Sequence, residues 1–147
     1  MPEARAVAAD FLAPPLPAGG FDRVLLDAPC SGTGTLRKIP EIRYRVSPAG
    51  IASLAQAQVR AVSAAAALLA PGGYLLYATC SLEEEENEGV VAKALRANED
   101  LELAAIEPPD SLLPFVDGAR FRLFPDERTD GFTAHLLRRR QAGAGSR

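Results

Sequence analysis

The chain has two cysteines, and their settings are the part of the sequence best suited to chemistry. Cys30 comes three residues after the stretch Phe21 to Asp27 (FDRVLLD), and Cys80 directly follows Tyr74 to Thr79 (YLLYAT). Each stretch is short and apolar at its centre, and Val24-Leu25-Leu26 is continuously so, as in a strand covered on both faces, so each thiol stands just past a predicted strand end. A thiolate is both a good nucleophile and a tolerable leaving group, which suits covalent catalysis. A lone cysteine reads more simply as a small buried hydrophobe. Two at equivalent strand ends, one followed by Ser31-Gly32 and the other by Ser81, favour the reactive role. Their spacing matches no zinc motif, so no metal is expected, and two are too few for a disulfide scaffold.

The elements around them must supply the geometry. If the two strands are parallel neighbours, both thiols and Asp27 reach the carboxyl edge of one sheet, where open α/β sheets bind ligands. Ser47-Pro48 predicts a helix start, the Ala- and Leu-rich run 51–70 its body, and Pro71-Gly72-Gly73 its end. That helix is a sufficient right-handed crossover between parallel strands. Ser81 and Glu84 form a capping-box pattern ahead of a helix to about Ala97 that buries Val90, Val91, Ala94 and Leu95. Its positive end would favour a thiolate at Cys80, opposed by Glu83 to Glu86, whose simplest role is to complement that end. Residues 6–9 could end a strand, 30–50 read as a long loop, 101–106 as a strand, and the prolines at 108, 109 and 114 as a loop. Phe132 to Leu137 alternates as an antiparallel edge strand would, which makes His135 structural. The fold class is α/β, with residues 1–140 in one domain and 141–147 a disordered tail.

Net charge is −3 and the pI about 5.2, which argues mildly against a nucleic-acid binder. Basic residues nevertheless cluster at Arg37, Lys38, Arg43 and Arg45, and again at Arg138, Arg139 and Arg140. No apolar run reads as a membrane span and no export signal is evident, so a cytoplasmic protein with no membrane partner is expected.

Asp27-Ala28-Pro29-Cys30-Ser31-Gly32-Thr33-Gly34 resembles motif IV of the RNA (cytosine-5) methyltransferases. Ala78-Thr79-Cys80-Ser81 with Glu85-Glu86-Asn87-Glu88 is similar to their motif VI, and Asp130-Gly131-Phe132 to their motif VIII. Residues 37–43 (RKIPEIR) also resemble the family's loop after motif IV, and the likeness runs over roughly residues 5–140. It implies S-adenosylmethionine-dependent methylation of carbon 5 of cytosine, in ribosomal or transfer RNA held locally single-stranded. By resemblance, Cys80 attacks carbon 6, Cys30 helps remove the carbon 5 proton and release product, and Asp27 stabilises charge developing at nitrogen 3. Asp10, Asp27 and Pro29 would contact the cofactor, and Arg37, Lys38, Arg43 and Arg45 the RNA phosphates. Thr79, Ser31 and Gly32 would line the pocket through backbone groups. A turn-closing role for the aspartates and a solvated loop for the basic residues are the plainer alternatives.

The resemblance also implies something absent. The family's Gly-rich cofactor turn is not in this sequence, and Ser31-Gly32-Thr33-Gly34 follows the wrong strand. The expectation is the C-terminal portion of a Rossmann-like methyltransferase fold whose N-terminal cofactor-binding strands are missing. Such a chain would bind S-adenosylmethionine poorly, show little activity alone, and pair with its missing half or self-associate through an uncovered sheet. Two alternatives stay open: a DNA cytosine-5 methyltransferase, which uses a Pro-Cys turn, and a non-catalytic RNA-binding remnant or half of a split enzyme.

Overall fold

A computed structural model describes residue 4 and residues 6–141. The described residues form one mixed sheet with two α-helices. Strand β1 (Phe21–Asp27) leads through two 3-10 turns (Thr33–Thr35 and Pro40–Tyr44) to helix α1 (Pro48–Leu68) and strand β2 (Leu69–Thr79). A third 3-10 turn, Glu84–Glu86, precedes helix α2 (Glu88–Ala97) and strand β3 (Leu101–Leu103). After the turn Asp110–Phe115 come β4 (Val116–Asp117), β5 (Arg120–Leu123) and β6 (Phe132–Arg139).

The sheet order is β1-β2-β6-β5-β4, with β3 also on β6. β1 and β2 are parallel, with Leu25 opposite Leu76 and Asp27 opposite Ala78, so the two strands end level. The other pairings are antiparallel. β3 pairs with the C-terminal half of β6 and β5 with its N-terminal half. β6 therefore lies inside the sheet, not at the edge its alternation suggested. Its Thr133, Ala134, His135 and Leu137 are buried accordingly.

The core lies on one face. Tyr77 pairs with His135 and Leu75 with Leu137, and these side chains share a face because alternate strand residues point the same way. Val62, Ala65 and Ala66 of α1 and Val90, Val91 and Ala94 of α2 close over Leu69, Leu75, Tyr77 and Leu137. α1 is long and apolar enough to cross a membrane by length and composition, contrary to the reading of the sequence. Its buried stripe, from Ala55 to Ala66, makes it a core helix here. The expectation that Val24-Leu25-Leu26 is covered on both faces fails. Val24 and Leu26 pack on the core, whereas Leu25, one residue out of phase, is 68% exposed.

Several local expectations hold. Ser47 Oγ accepts the Gly50 amide at 3.1 Å and caps α1, with Pro48 in its first turn. The sequence-derived limits of β1 match those observed. α1 ends at Leu68, because the chain turns extended at Leu69 before the Pro71-Gly72-Gly73 stop. Residues 6–9 form no strand, the 30–50 loop contains two 3-10 turns, and the β4–β5 hairpin, absent from the expectations, turns just after Asp117, with Gly118 at φ 59°. Of the expected tail, only Gln141 lies within the described residues.

His135 shows the cost of its burial. Its Nδ1 has no hydrogen-bond partner, and Nε2 stands 4.0 Å from Glu88 Oε1. Burial pushes Glu88 up, but bonds from Arg120 and Arg122 outweigh this and leave its carboxyl below its ordinary value. Desolvation lowers the His135 imidazole from 6.5 to about 4, against the attraction of Glu88 and with the repulsion of Arg120 and Arg122. The unfolded chain takes up this proton near pH 6.5 and the folded chain only near 4, so stability falls as pH drops through that window. The loss is on the order of 3 kcal/mol. Urea unfolding of His135→Gln at pH 7 and pH 4.5 should show a smaller acid loss than the parent.

Candidate active site

The level strand ends place the thiols. Beyond β1 the ladder continues one step, with the Ala28 amide donating to Ala78 O at 2.9 Å. Pro29 then offers no amide and the chain turns away. The result is a Cys30 Sγ to Cys80 Sγ distance of 3.2 Å, both thiols half-buried. The juxtaposition expected from the sequence is present, and the sulfurs face one another on the same edge.

Backbone bonds join the two thiol-bearing turns. Gly32 has φ of 74° and starts the Thr33–Thr35 turn in the left-handed conformation that glycine adopts freely. The Gly34 amide donates to Cys80 O at 2.9 Å, and the Gly131 amide donates to Gly34 O at 2.7 Å. A Cβ on Gly34 would stand 2.6 Å from Gly131 O and 2.7 Å from Cys80 O. The three motifs singled out in the sequence thus meet at one glycine. Asp130 receives Arg37 at 3.6 Å and Lys38 at 2.5 Å, fastening the basic loop to the start of β6.

Behind the cysteines lies a buried carboxylate, Glu86, which falls in the stretch similar to motif VI but was assigned no role beyond helix-end charge. Glu86 Oε1 accepts the Ser31 amide at 2.9 Å and the Gln58 Nε2 amide at 3.0 Å. Its Oε2 accepts the hydroxyls of Ser31 and, at 2.7 Å, Ser81. Gln58, fully buried on α1, also donates to Pro29 O at 2.8 Å. The Tyr77 hydroxyl donates to Glu86 O at 2.6 Å and fixes its main chain. Asn87, also buried, donates to Ser81 O and Glu83 O and accepts the Thr79 hydroxyl at 2.7 Å. A glutamine inside an alanine-rich helix stripe was the available sequence signal for this network.

The expected capping box does not form. Ser81 Oγ receives the Glu83 amide and donates to Glu86, so it is committed to this network, and α2 begins only at Glu88. The helix end is therefore not what activates Cys80. The hydrogen bond from the Cys30 thiol pulls Cys80 down from 9.0 to about 7, against burial and against the charges of Asp27 and Glu86. That same bond, burial and the negative Cys80 together push Cys30 far up. At neutral pH the pair is poised with the proton on Cys30 and thiolate character on Cys80.

The other predicted residues divide. A cavity of about 460 Å³ opens onto both thiols, walled by Ile39, Ile42, Ile51 and Leu54 with Arg45 at its lining. Arg43 stacks on the exposed Tyr44 ring at 5.0 Å. Asp27 and Pro29 are exposed at the end of β1, the outermost strand of the sheet. Asp10 Oδ1 accepts the Leu12 amide at 2.9 Å, closing its own exposed turn. This local bond is the plainer role weighed for it.

The family model described as 16S rRNA methyltransferase RsmB/F matches residues 1–138. The chain belongs to this family. Its members are S-adenosylmethionine-dependent RNA methyltransferases. A putative methyltransferase of Mycobacterium tuberculosis is 45% identical over 125 residues, 82% of this chain and 27% of that protein. Ribosomal RNA small subunit methyltransferase B of Thermus thermophilus is 42% identical over 117 residues, 80% of this chain and 29% of that protein. Among solved structures, NSun6 from Pyrococcus horikoshii with SFG has a TM-score of 0.61 at 30% identity, over 78% of this chain and 29% of that one. The chain thus spans under a third of the length of each of these three proteins, and the mixed α/β sheet is the one its structural neighbours share.

Two outcomes follow for the thiols. Iodoacetamide should label Cys80 before Cys30, with a rate rising through about pH 7, and Cys30→Ala should move that midpoint up towards 9 by removing the donor. Mass spectrometry of the labelled peptides reads both. Gly34→Ala should cost about 1–3 kcal/mol of stability in denaturant unfolding, because backbone oxygens stand where its methyl would go.

Proposed function

We propose that this chain carries the reacting cysteines for methylation of carbon 5 of cytosine in RNA, and that it does little chemistry alone. The observation that carries the proposal is the 3.2 Å thiol pair at the carboxyl edge of parallel strands, with Cys80 the more acidic member. Carbon 5 of cytosine is a weak nucleophile. Addition of the Cys80 thiolate to carbon 6 makes the ring an enamine, whose carbon 5 can take a methyl group. The cofactor supplies that group as an electrophilic sulfonium methyl. After transfer, loss of the carbon 5 proton towards Cys30 reforms the double bond and expels Cys80. With Cys80 bonded to carbon 6, Cys30 must first give its own thiol proton to water before it can take the proton from carbon 5.

Asp27 lies close enough for its charge to raise the Cys80 thiol, and its carboxyl would balance charge developing at nitrogen 3 of a bound base. The apolar cavity beside the thiols suits a base turned out of its stack, and Arg45 on its lining suits the adjoining phosphate. Arg37 and Lys38, held by Asp130, and Arg43 would extend that contact along a single strand of ribosomal or transfer RNA.

For S-adenosylmethionine the fit is partial. Asp27 and Pro29 are exposed beside Cys30 at the outermost strand, and Asp10 would have to release the Leu12 amide to join them. These residues would form one wall, and the NSun6 neighbour was solved with an analogue of this cofactor. The remaining wall needs a Gly-rich turn that this sequence does not contain. The open edge of β1, with Leu25 exposed beside it, fits a chain completed by further strands, by a partner half or by self-association. A reducing cytoplasmic setting would keep both thiols free.

Calorimetry of the chain alone should detect no micromolar S-adenosylmethionine binding. In a chimera where this chain replaces the matching segment of a complete relative, Cys80→Ala should abolish covalent RNA trapping. Cys30→Ala should let the adduct accumulate on denaturing gels. Adduct formation without Cys80 would overturn the proposal.

A further inference from the structure

We propose that Glu86 is the positioning residue that holds the Cys30 and Cys80 turns in register and so sets the separation of the two thiols. The inference deepens the function proposed above and rests on it for its relevance to RNA, though not for its geometry.

Glu86 meets the requirements of such a clamp. An ionised carboxylate offers about four acceptor sites, and here four donors fill them: the Ser31 amide, the Ser31 hydroxyl, the Ser81 hydroxyl and the Gln58 amide. Ser31 follows Cys30 directly, and Ser81 follows Cys80. One side chain therefore reaches both thiol-bearing turns, and through Gln58 it reaches α1 and the carbonyl of Pro29 as well. Its own backbone is tied to β2 by Tyr77. The carboxylate is fully buried, so water is not available to replace a lost partner.

Its placement is also unfavourable in one respect. The negative charge raises the Cys80 thiol, the reverse of what activation needs. A carboxylate whose charge opposes activation acts here through the bonds it makes. Its effect on Cys80 is indirect: by keeping the sulfurs 3.2 Å apart it preserves the Cys30 hydrogen bond, which is the larger influence on that thiol.

Two variants separate clamp from charge. Glu86→Gln keeps the shape, and its amide can donate to the two serine hydroxyls, which can rotate to accept. Glu86→Ala removes every tie. In the folded chain, confirmed by circular dichroism, Glu86→Ala should slow diamide-driven Cys30–Cys80 disulfide formation by about tenfold or more, because proximity is lost. It should also raise the pH midpoint of Cys80 alkylation and abolish the preference for Cys80 over Cys30. Glu86→Gln should cross-link at close to the parent rate with a midpoint moved down. General destabilisation predicts no such opposed movement. If Glu86→Ala does not fold, Ser81→Ala removes the tie on the Cys80 side and should slow cross-linking in the same assay. Cross-linking at the parent rate in the folded tie-removing variant, or midpoints that move the same way in Glu86→Ala and Glu86→Gln, would sink the positioning role. No RNA or cofactor enters these measurements. A chimera that fails to trap RNA while the thiol coupling stays intact counts against the proposed function alone.

Discussion

The parallel register of β1 with β2 is the constraint on which the rest depends. Asp27 stands opposite Ala78, so the chain leaves both strands at the same height, with Cys30 and Cys80 projecting into one turn region. A slip of one residue would turn Leu26 off the core and move Cys30 along the edge. The slip is opposed by Val24 and Leu26, which pack on the core, while Leu25 faces the other way. Register, core and thiol separation are thus one arrangement seen at three scales.

Above that edge buried polar groups bond one another, with only Gln58 Oε1 of the network left without a partner. Glu86, Asn87, Gln58, Thr79 and Ser81 are all buried, and the bonds among them link α1, β2 and both cysteine turns. A network of this kind rigidifies when complete and is costly when broken. It sits beside the thiols, where a displacement of a fraction of an ångström would weaken the Cys30 to Cys80 bond. The Gly34 contact serves the same end by close backbone approach, at a position where any side chain would intrude.

The thiol pair illustrates how geometry overrides a local expectation. A helix start behind Cys80 was the natural source of acidity, but α2 begins only at Glu88, after an acidic 3-10 turn. Acidity comes instead from the neighbouring thiol. Two like groups at contact distance cannot ionise together, so one is driven down and the other up. The asymmetry matches a division of labour between nucleophile and proton-handling partner.

Residue types and spacing by themselves determined the two strands that end at the cysteines, the capped helix between them, and the motifs that carry the family resemblance. These depend on local signals: apolar runs, Ser47-Pro48, and short strings of adjacent residues. Only the tertiary structure decided which distant groups meet. Phe132–Arg139 alternates as an edge strand does, yet β3 and β5 share its outer side, because pairing partners far along the chain leave no mark on the strand itself. The motif resemblance includes Glu86 among neighbouring glutamates without giving it a role, since whether a carboxylate faces water or two serine hydroxyls depends on what folds over it.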